Sequence, residues 1–529
     1  MGNVTGYPYK NWLYVAVAIY FCILLFIGFY SRRYIKNSDD FVLAGRKLSF
    51  FLLVTGIVAT WYCAGTLIGG AANAYIFGLH GVIFDPFSAS LCLIIAGLFF
   101  SKIMYRTKYK TVCDVFYSRY GEVLGIVSTL IMIFIEFGWI GSQLVAFASI
   151  LKVYSGLSIT MTLYVSSVVV MLYTYWGGLW SVSLTNALQF ILFFIVFIVG
   201  FLFIINYMGG FEIFTKVSYS WAKTPVWSFF PLKGSEYLGY TGLSGWSYYI
   251  AAWLSIGVGS LCAQDLMQRV LAARDEKVAV KAVYSSSIIY LILGLVGPLL
   301  GIVLYVYNPN LKVVDTETII PWIGANMLSP VFSILFFVAI LAVLMSTCSA
   351  AALAASSLIG CNILKTIKKD VTDETILFTT KIMIPIVIII SMFLAFRMQS
   401  VYKLMVVSWS ILLVGLMAAF IAAFFWKKAN HTGALASLLV GIYSWIGLIL
   451  YFIKETSKNN TGVVEGFTVY WDWAIWDAVY ISSTWAFIVS LITLIIVSLL
   501  TQKIDPPKPL VNANGEPLEI KKWFGNPFK

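Results

Sequence analysis

The chain has 529 residues, of which 60% are hydrophobic, 17% aromatic and only 11% charged, and its formal net charge is +12. A mean hydropathy of +0.90 excludes an ordinary soluble domain and describes an all-α protein that crosses the bilayer many times. The positive balance could mean a nucleic-acid partner, so its distribution along the chain decides its meaning.

Apolar segments of bilayer length recur along the chain. Thirteen spans are predicted, at about 11–31, 51–79, 82–103, 122–152, 158–175, 180–207, 246–266, 281–306, 331–363, 376–396, 400–426, 432–452 and 478–501. The first is as long as a full span and has no small-residue cleavage site, so it reads as a span and not as a signal peptide. The second, FLLVTGIVATWYCAGTLIGGAANAYIFGL, is different in kind. Its middle holds Thr60, Trp61, Tyr62, Cys63, Ala64, Gly65 and Thr66, then Gly69 and Gly70. A plain anchor needs no polar residues at mid-depth. A helix that opens there does, because freed carbonyls can coordinate a cation. Half the chain later, LSIGVGSLCAQD (254–265) carries Gly257 and Gly259 and reads as a second interrupted helix. The competing explanation is that these glycines only allow close helix packing.

Loop charge alternates. Arg32, Arg33, Lys36, Arg46 and Lys47 follow the first span; Lys102, Arg106, Lys108, Lys110 and Arg119 follow the third; Arg269, Arg274, Lys277 and Lys281 follow the seventh. With Lys365, Lys368, Lys369, Lys427, Lys428 and the tail, about two thirds of the 35 Lys and Arg fall on one side. This predicts a cytoplasmic C-terminus and an outer N-terminus, as an odd number of spans requires. The charge is therefore a topology signal, and no nucleic-acid partner is expected. The outer loops 208–245 and 453–477 are rich in Trp, Tyr and Gly, and the N-x-T sequons at Asn3 and Asn459 fall outside. The seven cysteines show no disulfide or zinc spacing. No nucleophile elbow or phosphate loop is found, so an enzyme is not expected.

Several side chains stand out at mid-membrane. Ser346 and Thr347 offer hydroxyl oxygens, which suit a hard cation such as sodium, although such hydroxyls also bond their own helix. Glu136 lies mid-span in IMIFIEFGWIGSQ, where an ionisable group is costly and by default functional or paired. Trp61, Tyr62 and Trp139 could face a cavity and attract a cationic solute through their rings, or could be packing. Ser142 and Gln143 could instead bind a neutral solute. Asp85 and Asp265, near span ends, read as interfacial or functional. His80 and His431 stand alone, without a metal pattern.

Four stretches resemble the sodium/solute symporter family: SDDFVLAGRKLS (38–49), YWGGLWSVSLTNALQF (175–190), QRVLAARDEKVAVKA (268–282) and LMSTCSAAALAASSLIGCNI (344–363). ATW (59–61), IAGLFFSKIM (95–104), Glu136-x-x-Trp139 and GGLWSV (177–182) resemble its high-affinity choline transporter branch most. The resemblance implies a core of two five-helix inverted repeats with broken helices. These would be 51–207 and 246–426, with an extra span in 1–31, two more in 432–501 and a cytoplasmic tail, 502–529, that runs from ordered to disordered. It implies a main sodium site from the carbonyls of Ala59, Tyr62 and Val343 and the hydroxyls of Ser346 and Thr347. Where the family can place acids for a second sodium site, this chain has Asn186 and Ser349, so one sodium ion is expected. The branch also has a tryptophan where this chain has Ala263, which leaves the aromatic box incomplete. The candidate solute-binding set is then Trp61, Glu136, Trp139, Gln143, Gly259 and Ala263. The expectation is a plasma-membrane sodium-coupled symporter of a small polar solute, choline or another quaternary amine among them. The alternatives are a neutral or anionic solute (amino acid, sugar, carboxylate) or a transporter-shaped sensor. The oligomeric state is left open.

Overall fold

The computed structural model describes residues 8–155, 158–234, 236–307, 318–368, 370–398, 401–459 and 471–518. The sequon residue Asn3 lies outside them, and Asn459 ends a helix. Helices dominate the described residues, with only isolated bridges besides. Their starts follow local chemistry. Ser49, Ser158 and Asp275 each cap a first turn by accepting a backbone N–H two or three residues on, and Pro330 opens its helix at a position that needs no N–H.

Among the described residues, ten helices are long and apolar enough to cross a membrane, eleven with the pair Gly242–Cys262 and Gln264–Leu271, which meet at 45°. Two of the ten, Gly65–Thr107 and Leu163–Tyr207, have 43 and 45 residues. Straight, each would measure about 65 Å, twice the hydrocarbon core. Both are interrupted: the first around Gly78 and Asp85, the second at Gly178, whose φ of +48° suits glycine. A Cβ on Gly178 would lie 2.4 Å from the Phe41 carbonyl oxygen. Read as two crossings each, these stretches would bring the set to the thirteen expected.

The centre of the bundle is the helix Pro330–Leu358, in which every residue from Phe336 to Leu358 is buried. Around it pack Phe50–Trp61, Glu122–Ser155 and Ile159–Tyr207. The outer helices turn apolar side chains such as Trp12, Phe26, Ile292, Tyr443 and Leu450 outward, as a lipid-facing surface requires.

The basic loops meet at one end. Arg46 donates to the carbonyls of Leu271, Lys108 and Tyr109, Arg106 pairs with Glu276 at 2.7 Å, and Arg119 donates to Trp426 and Lys427. The tail packs there too, with Asp505 accepting from Thr432 and Val511 bonded to Ser118. At the other end, Tyr237 donates to the His80 carbonyl and Tyr240 and Tyr248 donate to Asp477.

Candidate functional site

The helix Phe50–Trp61 stops at mid-bundle. Tyr62 turns extended, at φ −70° and ψ 98°, and a wide helical turn, Gly65–Gly69, leads into Gly70–Phe77. The break sits at Tyr62 and Cys63, just ahead of the glycines that signalled it. Gln143 caps the restarted half, its Oε1 accepting the Ala64 N–H at 2.9 Å while its amide donates to Ser142. The glycines serve the second half. Cβ atoms on Gly297 and Gly301 would lie 2.4 and 2.1 Å from the carbonyls of Leu67 and Ala71, so the helix Val296–Tyr307 touches that half backbone to backbone.

Opposite the break stand Ser346 and Thr347. Ser346 Oγ donates to the carbonyl oxygens of Ala59 at 2.6 Å and Val343 at 2.7 Å. Thr347 Oγ1 donates to Thr60 O at 2.8 Å and Val343 O at 3.3 Å. Five uncharged oxygens thus converge in a fully buried place: three carbonyls and two hydroxyls. Neutral oxygens at that number fit a monovalent hard cation and not a transition metal. Of the expected set, these bonds join Ala59, Val343, Ser346 and Thr347; Tyr62 ends the helix, with its ring among Phe193, Phe197 and Tyr290. The carbonyl that meets Thr347 belongs to Thr60.

Linked to Thr60 through Arg269 and Asp265 is a small cavity. It is lined by Met132, Ile135, Glu136, Trp139, Ala263, Gln264, Asp265, Trp409 and Leu412 and encloses only about 10 Å³, room for about one water. Trp139 and Trp409 meet edge to face at 5.2 Å. Glu136 is 3% exposed and Asp265 1%, so both carboxylates are buried. Asp265 Oδ2 accepts the Trp61 indole N–H at 2.8 Å, and Arg269 donates to the Asp265 carbonyl at 2.7 Å and to Thr60 Oγ1. Asn186 donates to the same Thr60 oxygen at 3.2 Å.

Of the candidate solute residues, Glu136, Trp139 and Ala263 line this cavity together. Trp61 adjoins it through Asp265. Gln143 spends its amide oxygen on the helix break. Gly259 backs onto Leu413, where a Cβ would sit at 3.2 Å, and does not line the cavity. Trp409 and Gln264 were not foreseen. Asp265 is buried, not interfacial; its place four residues before Arg269 on an amphipathic stretch was the available signal. Asp85 is also buried, holding Thr66 Oγ1 and Tyr290 OH at 2.6 Å each, so it ties the opened segment to the helix Glu276–Gly294. Ser349 Oγ bonds within its own helix, to Ser346 O.

Comparison with known proteins shows the family and the fold. The family model described as the sodium:solute symporter family matches residues 41–441. A high-affinity choline transporter of Drosophila melanogaster is 24% identical over 444 residues, 81% of this chain and 69% of the relative. The sodium/proline symporter of Escherichia coli is 25% identical over 463 residues, 81% of this chain and 88% of the relative. A solved Na+-coupled sialic acid symporter, in a substrate-bound outward-open state, superimposes with a TM-score of 0.75 at 18% identity, covering 96% of this chain and all of that one. The chain belongs to the sodium:solute symporter family, has the inverted-repeat transporter fold with broken helices, and is a multi-pass membrane transporter, not an enzyme.

Proposed function

We propose that the protein is a sodium-coupled symporter that imports a small cationic organic solute by alternating access. The observation that carries the sodium reading is the meeting of Ala59, Thr60, Val343, Ser346 and Thr347 oxygens across the helix break. A sodium ion there would draw the carbonyls of the opened helix and the hydroxyls of Pro330–Leu358 onto one centre. That would fix the opened helix against the helix it must rock against. The hydroxyls already meet the carbonyls they would share with the ion, so the site is preassembled. Release would follow when the halves 51–207 and 246–426 tilt and part those oxygens.

The solute would occupy the cavity linked to Thr60 through Arg269 and Asp265. Glu136 and Asp265 against Arg269 leave one net negative charge if all are ionised, and two indoles flank it. Both features favour a cation. The choline transporters among the relatives fit that reading, while the proline symporter keeps an amino acid as the second reading. The present cavity is too small for either, so entry requires the halves to open. The basic end of the molecule would face the cytoplasm of a plasma membrane, leaving the N-terminus outside.

The test is purified protein in liposomes with an inward sodium gradient and labelled solutes. Accumulation that collapses with the sodium gradient supports the reading. Solute binding without accumulation would mark a sensor instead, and uptake driven equally well by a proton gradient alone would remove sodium as the coupling ion.

A further inference from the structure

We infer that the cavity recognises a cation that carries N–H donors, a primary or secondary ammonium, and discriminates against a quaternary one. The inference rests on the cationic-solute reading and sharpens it. Its basis is what the cavity leaves unsatisfied. Among the described residues, Glu136 Oε2 and Asp265 Oδ1 have no hydrogen-bond partner, although both carboxylates are more than nine-tenths buried and both side chains line the cavity. Asp265 Oδ2 already holds the Trp61 indole, and Arg269 donates to the Asp265 carbonyl and Thr60, not to either free oxygen. Two partnerless acceptors thus belong to residues of two different helices that line one space.

A buried carboxylate oxygen without a donor weakens binding by about tenfold or more. An N–H-bearing ammonium satisfies both oxygens at once. A quaternary ammonium presents only C–H groups, leaves both oxygens bare and relies on the aromatic faces alone. Those faces are few here: the lining holds two indoles, Trp139 and Trp409, which meet edge to face. The lining also holds unpartnered donors, the indole N–H groups of Trp139 and Trp409 and the Gln264 amide. These would take a neutral acceptor on the solute, such as a hydroxyl or carbonyl oxygen. The site as built thus matches a small ammonium with an acceptor a few atoms away.

The experiment compares ethanolamine, N-methylethanolamine and choline, which share one alcohol and differ only in methylation of the nitrogen. Labelled forms are offered to the reconstituted protein under a sodium gradient. The expected result is sodium-driven uptake of ethanolamine and N-methylethanolamine at half-saturating concentrations at least tenfold below that of choline. Asp265→Asn and Glu136→Gln should each bring the ratio of ethanolamine to choline toward one, while Asp265→Glu should keep it. A sodium-induced thermal shift equal to that of the parent shows that the variants are folded. Choline taken up as well as or better than ethanolamine overturns the inference and leaves the cationic symporter standing. Failure of all three, with sodium-driven uptake of a neutral or anionic solute, overturns the cationic reading itself and the inference with it.

Discussion

Replacing Ser346 by alanine separates a sodium ligand from a structural hydroxyl. The hydroxyl bridges Ala59 O at 2.6 Å and Val343 O at 2.7 Å. Losing such a bond in a membrane protein costs about 0.6 kcal/mol on average. In a chain of this size that lowers the melting temperature by a few degrees at most. If the same oxygen ligates sodium, its loss is larger, because a dipole facing a charge contributes about 1.5–3 kcal/mol. The sodium concentration for half-maximal uptake should then rise about 10- to 150-fold, toward the lower figure if a water replaces the hydroxyl. Thr347→Ala should behave alike, since Thr347 Oγ1 meets Thr60 O at 2.8 Å, and Thr347→Ser should stay near the parent. The assay is solute uptake against external sodium, beside melting curves with and without sodium. Unchanged sodium dependence in both alanine variants would refute the site. So would a melting temperature that collapses in sodium-free buffer, because the hydroxyls would then be structural.

Other expectations follow from single contacts. Gln143→Leu orphans the Ala64 N–H in the buried break and should cost about 1–3 kcal/mol, read as a lower melting temperature with reduced uptake; parental values would show that the break needs no cap. Gly301→Ala would force a Cβ to 2.1 Å from the Ala71 oxygen and should cost about 1–3 kcal/mol or abolish folding, checked by expression and melting, whereas a stable variant would deny the close approach. At the basic end, burial works against the Lys110 charge, but the hydrogen bond and charge of Asp39, at 2.6 Å, outweigh it and raise the ammonium above its usual range. A raised folded value means that this contribution is complete at neutral pH and is lost only as pH climbs through it. The stability difference between parent and Lys110→Met should therefore be flat from about pH 6 to 9 and shrink only above about 10.4; a difference that shrinks on acidification within that flat range would contradict the assignment.

The architecture was legible because its causes are local. Bilayer-length apolar runs, charge alternating between loops, and Gly-rich mid-span sequences each act within tens of residues, and the described helices, the basic end and both breaks follow them. The Ser346–Thr347 pair was legible for the same reason, as adjacent hydroxyls in an otherwise apolar helix. Pairings across the bundle were not. Asp265 is polar near the end of a span, which in sequence looks interfacial; only the packing of Gln264–Leu271 against Phe50–Trp61 buries it beside Trp61, 204 positions away. Trp409 is one of 18 tryptophans, and nothing in VVSWSILL distinguishes it until Trp139 is brought to 5.2 Å. Gln143 looked free for a solute because a capped helix break leaves no mark on the capping residue.

Thr60 joins the two halves of the site, and its surroundings bear on how many sodium ions move. Its carbonyl faces Thr347, while its hydroxyl oxygen receives both Arg269 and Asn186. A carboxylate at 186 could in principle hold a second sodium ion. In this chain it would lie within reach of the oxygen that Arg269 already occupies, so the nearest cation would be a tethered guanidinium. Sodium would have to displace that group from Thr60 and leave it buried with only the Asp265 carbonyl as partner. Asn186→Asp should therefore form an ion pair with Arg269 and keep coupling at one sodium per solute, as the parent should show. It should also weaken a cationic solute's binding little, because Arg269 would be drawn away from Asp265 toward the new acid. The reversal potential of solute-coupled current, measured at several sodium gradients in reconstituted membranes, gives the stoichiometry directly. Two or more sodium ions per solute in the parent would refute the one-site reading. A step from one to two in Asn186→Asp would show that Arg269 yields its place, and that charge at position 186 alone sets the count.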